Sequence, residues 1–169
     1  MPQKPLIRPE TTVDHTAIRE LNDAAFGTPG EAKLVDAIRT SAGYVPGLSL
    51  VAQVDGKVVG HIMFSWAELA GFKVLALAPM AVSPLHQRQG IGSALVETGL
   101  ELANGMSAGL VVVLGHPEFY PRFGFQQAWE YDVLSPFEVP KEAFMVRPIN
   151  GYDPGMKGVV RYPEPFSLV

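Results

Sequence analysis

The spacing of apolar residues changes along this chain from helical to alternating and back, and each change marks an element. After an extended start at 6–8, Ile18, Leu21, Ala25 and Phe26 fall on one helical face, with Asp14 placed as the cap and Gly27 as the stop. Thr28-Pro29-Gly30-Glu31 opens a second helix whose buried stripe is Leu34, Val35 and Ile38 and which ends before Gly43. The period then falls to two. Runs rich in β-branched residues at 49–54 and 57–67 flank Asp55-Gly56, a pair suited to the positive φ angles of a tight turn, so an antiparallel hairpin is expected. A third strand at 73–82 extends this sheet. Pro79 has no N–H to give to its ladder, which predicts a bulge or splay.

Helical spacing returns at 90–104, with Ile91, Leu95 and Leu102 as the apolar positions and Asn104-Gly105 as the stop. The continuous Val-rich run at 109–114 is of the kind buried in a parallel pair. A short helix at 117–123 and strands at 125–133 and 144–147 complete an α/β domain, 1–147, with a mixed sheet flanked by helices. The remainder, 148–169, differs in kind. It holds Pro148, Pro154, Pro163 and Pro165 together with Gly151, Gly155 and Gly158, the composition of an extended arm, with a short strand at 159–162. Its apolar Val159, Val160, Tyr162 and Phe166 predict docking on the domain.

A chain of 169 residues has the size of one domain with an appendage, hence one active site, and 47% hydrophobic residues exclude a disordered tail. Absence of cysteine removes disulfides, thiolate metal sites and a cysteine nucleophile. The net charge of -4 argues against a nucleic-acid partner, whose affinity would come from clustered Lys and Arg. His15, His61, His86 and His116 lack tight ligand spacing, so no metal is expected. No apolar run approaches the roughly 20 residues of a membrane span, and 1–10 lacks a signal-peptide core. A cytoplasmic protein with no membrane partner is the expectation.

The most informative stretch is Val82-Ser83-Pro84-Leu85-His86-Gln87-Arg88-Gln89-Gly90-Ile91-Gly92-Ser93, which runs from a strand into a helix. A helix start presents unpaired N–H groups and partial positive charge, a favoured seat for phosphate. Gly90 and Gly92 remove the Cβ atoms that would hold a pyrophosphate off those amides, and Arg88 adds a charged contact. The stretch is not a Walker A loop, because Ser93-Ala94 follows Gly92 where Lys-Ser/Thr is needed. Neither is it the dinucleotide form, whose third glycine would fall on Leu95.

Gln87-x-x-Gly90-x-Gly92 after Ala81-Val82 resembles the acetyl-CoA loop of the GNAT superfamily of N-acetyltransferases. Glu118-Phe119-Tyr120-Pro121-Arg122-Phe123-Gly124-Phe125 is similar to the second motif of that family, where a tyrosine precedes Gly-Phe. The resemblance covers 6–147, and the tail 158–163 looks most like a bacterial branch, the YhbS-like acetyltransferases. It implies a single-domain GNAT-like fold with splayed central strands that hold acetyl-CoA, and transfer of the acetyl group to a primary amine of a small molecule or peptide. It also implies cofactor contacts from Met80, Ala81, Val82, Gln87, Arg88, Gln89, Gly90, Ile91, Gly92, Ser93 and Tyr120. In that pattern the Met80 N–H faces the acetyl carbonyl, the Val82 backbone pairs with the pantetheine arm and Tyr120 serves the departing thiolate. A homodimer is a common assembly of such proteins.

For the general base the residues leave alternatives open. His116, Glu118 and Glu68 are candidates, and each also reads as a surface charge or cap, while His61, inside an apolar strand, reads as structural. A catalytically silent acyl-CoA-binding sensor is the second functional reading, which Tyr120 opposes. A cofactor-free interaction module is the third.

Overall fold

The computed structural model describes residues 4–168. Its elements run β1 (Leu6–Pro9), α1 (His15–Phe26), α2 (Gly30–Arg39), β2 (Tyr44–Val54), β3 (Lys57–Leu69), β4 (Phe72–Val82), α3 (Ile91–Asn104), β5 (Leu110–Leu114), β6 (Gln126–Gln127), β7 (Val133–Leu134), β8 (Phe144–Pro148) and β9 (Gly158–Val159). The main sheet has the order β1-β2-β3-β4-β5-β8-β6, with β4 and β5 parallel and every other pairing antiparallel. This is the mixed sheet the sequence predicts. Among the described residues no helix is long and apolar enough to cross a membrane.

Local chemistry explains most boundaries. Gly27, at φ +74°, closes α1 by donating its N–H to Asp23 O at 2.9 Å, and Asp55 (φ +51°) and Gly56 (φ +76°) make the β2–β3 turn. Asp14 does not cap α1 directly. Its carboxylate takes the Thr11 N–H at 2.8 Å and the Arg8 guanidinium at 2.7 Å, tying β1 to the 3-10 turn that precedes the helix.

Each face of the sheet carries its own core. On one face α3 lies across β2, β3 and β4, burying Ile91, Leu95, Val96, Leu100 and Ala103. It sits close because a Cβ at Gly99 would overlap the Phe64 ring, and one at Gly60 would lie 2.9 Å from Ile91 Cγ2. Leu102, expected in this stripe, is 45% exposed, since Leu100 and Ala103 occupy the sheet-facing positions of the last turn. On the other face α1 and α2 bury Ile18, Leu34, Val35 and Ile38 together with Val51, Met63 and Phe166.

Two expected elements between β5 and β8 need correction. The strand expected over 125–133 is interrupted: only Gln126–Gln127 pair with β8, and Ala128–Tyr131 then turn as a 3-10 segment. Asp132, at φ +57°, redirects the chain so that Val133 joins Ala128 in a further buried cluster with Val74, Ala76, Val112 and Val146, where both side chains leave water. The helix expected over 117–123 contracts to a 3-10 turn, Tyr120–Phe123, since Pro121 has no N–H for an α-helical bond and Gly124 (φ +89°) ends the turn.

The C-terminal segment is held by backbone bonds. Gly158–Val159 pair with β7, Arg161 exchanges N–H···O bonds of 2.8 and 2.9 Å with Glu68 of β3, and Glu164–Leu168 form a 3-10 turn. Of the strand expected at 159–162, only Val159 lies in a strand, and Arg161 makes a single bridge.

Candidate active site

The register around Pro79 decides which groups are free. Ile62 faces Met80 and Phe64 faces Leu77, so β4 holds one residue more than β3 between these pairs, the expected bulge, at Ala78-Pro79. Ser83 N–H donates to Val59 O at 2.8 Å, which makes Ser83 and Val59 a hydrogen-bonded antiparallel pair. Such pairs alternate, so Ala81–His61 is bonded, whereas Val82–Gly60 and Met80–Ile62 are not. The N–H and C=O groups of Met80 and Val82 therefore point away from β3. On that side β5 accompanies β4 only from Leu75–Val111 to Leu77–Val113 and then diverges. The result is a gap between two central strands, walled on one side by backbone polar groups without a strand partner. Gln87 Nε2 donates to Val82 O at 3.3 Å, the one side chain among the described residues bonded to this edge.

The gap opens into a cleft of about 1170 Å³. At one end lies the loop before α3, where Arg88 and Gly90 hold φ +63° and +82°. A Cβ on Gly90 would meet nothing within 4 Å, and one on Gly92 would stand 3.6 to 3.8 Å from Met80 Cε, Phe119 Cζ and Val82 Cγ2. Gly90 thus faces open space at a helix start, and Gly92 would hold a Cβ only in ordinary contact with its neighbours. His86, Gln87, Arg88, Ile91 and Ser93 also line this end, while Gln89 is exposed outside it and Ala81 is buried and does not line it.

Tyr120 lines the cleft from the opposite wall, 6% exposed, its ring packed on Gly115, where a Cβ would overlap it, and edge-on to Phe119 and Phe125 at 5.0 and 5.5 Å. Burial pushes its phenol up to about 12, so it stays protonated near neutrality and keeps a proton to donate. His116 lines the cleft beside Tyr120, and its carbonyl accepts the Phe119 N–H at 3.1 Å. Glu118 is exposed and does not line the cleft. Glu68 lies at the far end of β3, paired with Arg161 at 3.8 Å. Met80, Val82, Gly92, Tyr120 and His116 are thus brought together; Glu118, Glu68, Gln89 and His61 are not.

The family model for the acetyltransferase (GNAT) family matches residues 15–125, the span that carries both the free β4 edge and the α3 loop. The chain belongs to the GNAT acetyltransferase family. It is 36% identical over 160 residues to the N-acetyltransferase YjhQ of Escherichia coli, covering 90% of this chain and 88% of that one. It is likewise 36% identical over 166 residues to the N-acetyltransferase YhbS of the same organism, covering 96% and 98%. Among solved structures, YhbS from E. coli in complex with CoA superposes with a TM-score of 0.89 at 33% identity, over 99% of this chain and 94% of that chain. A GNAT acetyltransferase from Brucella melitensis in complex with acetyl-CoA gives 0.80 at 32% identity, over 96% and 98%.

Within this GNAT fold the cleft also gathers residues that the sequence analysis gave no part in the site. Arg122 lines the cleft and stacks on Phe119 at 4.6 Å, a second cation near the α3 start. Phe26, expected on the buried stripe of α1, is 41% exposed and faces the cleft with Glu31, Phe137, Tyr162 and Phe166. Apolar periodicity finds such rings but cannot tell a core face from a ligand face.

His61, behind the β4 edge, belongs to a buried polar network. Its Nε2 lies 2.9 Å from Ser49 Oγ and 3.8 Å from Glu10, whose carboxylate also takes Arg39 at 2.7 Å, His15 at 2.9 Å and the Ser49 hydroxyl. Burial pushes Glu10 up, but His61, Arg39 and Ser49 outweigh it and hold the carboxyl at about 2, against 4.5 ordinarily. Burial holds His61 below its ordinary 6.5, opposed by Glu10. Both groups are depressed, so both stabilise the fold at neutral pH and lose that contribution on acidification: His61 from about 6.5 downward, and Glu10 from about 4.5 to 2. The Glu10 part is worth roughly 3 kcal/mol. Denaturant unfolding of the parent at pH 7 and pH 3 should show this loss. Glu10→Gln should be less stable at pH 7 and fall less steeply between the two; an equal fall in both would remove Glu10 as its source.

Proposed function

We propose that this chain is an acetyl-CoA-dependent N-acyltransferase that moves an acetyl group to a primary amine by direct attack on the thioester. One observation carries the reading: the unpaired Met80 and Val82 amides, the glycine-lined start of α3 and the Tyr120 hydroxyl border one cleft. Acetyl-CoA supplies the acyl group in activated form. The amides of Gly90 to Ser93, with Arg88 and Arg122, hold the pyrophosphate, and the Val82 backbone holds the pantetheine arm as an added strand edge. The Met80 N–H is a fixed donor for negative charge that grows on the carbonyl oxygen.

The amine enters as an ammonium and gives up one proton to solvent, with His116 as the relay at the cleft mouth. Its nitrogen bonds the acetyl carbon as the carbon–sulfur bond breaks, and a second nitrogen-borne proton ends on sulfur, giving the amide and free CoA thiol. With its phenol at about 12 against roughly 8.5 for a thiol, Tyr120 donates a hydrogen bond to the departing sulfur and keeps its proton. The segment 148–169 acts as an arm that places Tyr162 and Phe166 over the acceptor end of the cleft.

The experiment is thiol release from acetyl-CoA with a panel of primary amines, alongside calorimetric titration with CoA. Amine-dependent release with CoA binding is expected. CoA binding without release for any amine would make the chain an acyl-CoA-binding protein, and absence of both would overturn the site.

A further inference from the structure

The cleft has two chemically different halves. Beside the α3 start stand the cations: Arg88 in the loop, and Arg122 over Phe119, whose ring lies 3.8 Å from the position of a Gly92 Cβ. The other half is aromatic. Phe26 and Phe137 are 41% and 42% exposed, a costly display of ring surface to water, and Tyr162 joins Phe137 at 5.2 Å and Phe166 at 4.8 Å between ring centres. This half carries Glu31, the sole carboxylate among the described lining residues. Glu31 and Leu34 are three apart on α2 and so share a side of the helix, and Leu34 packs in the cluster that contains Phe166 and reaches Ala78, two residues before Met80. The carboxylate therefore borders the aromatic cup. Its one hydrogen bond within the described residues comes from Thr28 Oγ1 at 3.4 Å, which leaves it without a cationic partner.

Resting on the acetyl-transfer reading, we infer that the acceptor is a monoamine carried on an aromatic or similarly bulky apolar body. Its ammonium is drawn in by Glu31, and its body lies among Phe26, Phe137, Tyr162 and Phe166. One carboxylate matches one ammonium. A diamine would bring a second charge that only cations face at the other half, and a small aliphatic amine would leave the rings wet.

The probes are phenethylamine, butylamine and putrescine, assayed by thiol release with the full chain and acetyl-CoA. Phenethylamine should exceed both others in kcat/KM by tenfold or more. Phe137→Ala should raise KM for phenethylamine several-fold more than it raises KM for butylamine. Glu31→Gln should raise KM for phenethylamine about tenfold with kcat less affected, and Glu31→Asp should recover part of the loss. Glu31 also stands in the first turn of α2, where a carboxylate favours the helix. A purely structural role would lower the melting temperature and leave KM unmoved, which overturns the assignment. Equal or better use of butylamine or putrescine by an active enzyme overturns the acceptor class alone. Silence with every amine in a protein that still binds CoA overturns the transfer reading, and the acceptor falls with it.

Discussion

Gly92→Val is expected to fold and to bind CoA at least a hundredfold more weakly than the parent. The Cβ position at Gly92 lies in ordinary contact, 3.6 to 3.8 Å, with Met80, Phe119 and Val82, so the protein itself tolerates a side chain there. Valine is also a better helix residue than glycine. Its methyls would project into the cleft over the first amides of α3, where hydrogen bonds to a charged phosphate are worth about 1.5–3 kcal/mol each. Losing one or two of them gives the stated factor. Gly90 is a poorer test, because its φ of +82° strains any other residue whatever the space around it. Arg88→Ala should cost tenfold or less, since an exposed side chain is one contact among several backbone donors. Calorimetry with CoA, paired with a melting curve, checks the series. Parent-like affinity in a folded Gly92→Val protein would place the phosphates elsewhere.

Tyr120→Phe is expected to lower kcat by about 10² to 10³ while KM and CoA affinity stay near the parent values. The ring is what packs against Gly115, Phe119 and Phe125, and phenylalanine keeps it. Only the hydroxyl is lost. Because burial holds the phenol at about 12, the parent should show no rate loss from Tyr120 ionisation at any pH where the fold survives, up to about 11. Turnover by Tyr120→Phe at the parent rate with an accepted amine would reduce Tyr120 to a packing residue and leave the sulfur to water.

The elements that could be read from the chain are those whose cause is local. Asp55-Gly56 makes its turn through its own φ angles, Gly27 stops α1, and Pro79 disturbs β4 because it lacks a donor. The same holds for Gly90-x-Gly92, whose glycine φ of +82° lets the chain turn from β4 into α3. Failures arose where local signals were weak or contested. The run 125–133 has strand-like residues, but its apolar side chains had a deeper core to enter than an edge strand offers. Glu118 and Glu68 looked as eligible as His116, and only the placement of the β5–β8 end and the C-terminal segment separates them.

By itself the sequence determined the element order as far as β5, the bulge and the glycine turn into α3, because each rests on interactions within a few residues, while the tyrosine of the second motif was marked by the family resemblance. Tertiary structure alone decided that the Met80 and Val82 amides face away from β3 and that β5 leaves β4 after Leu77–Val113. It also decided that Glu31, Phe137 and Phe166, far apart in the chain, border one end of the cleft. Those facts depend on strand register and on which surfaces are buried together, quantities summed over many distant contacts that no short window of sequence contains.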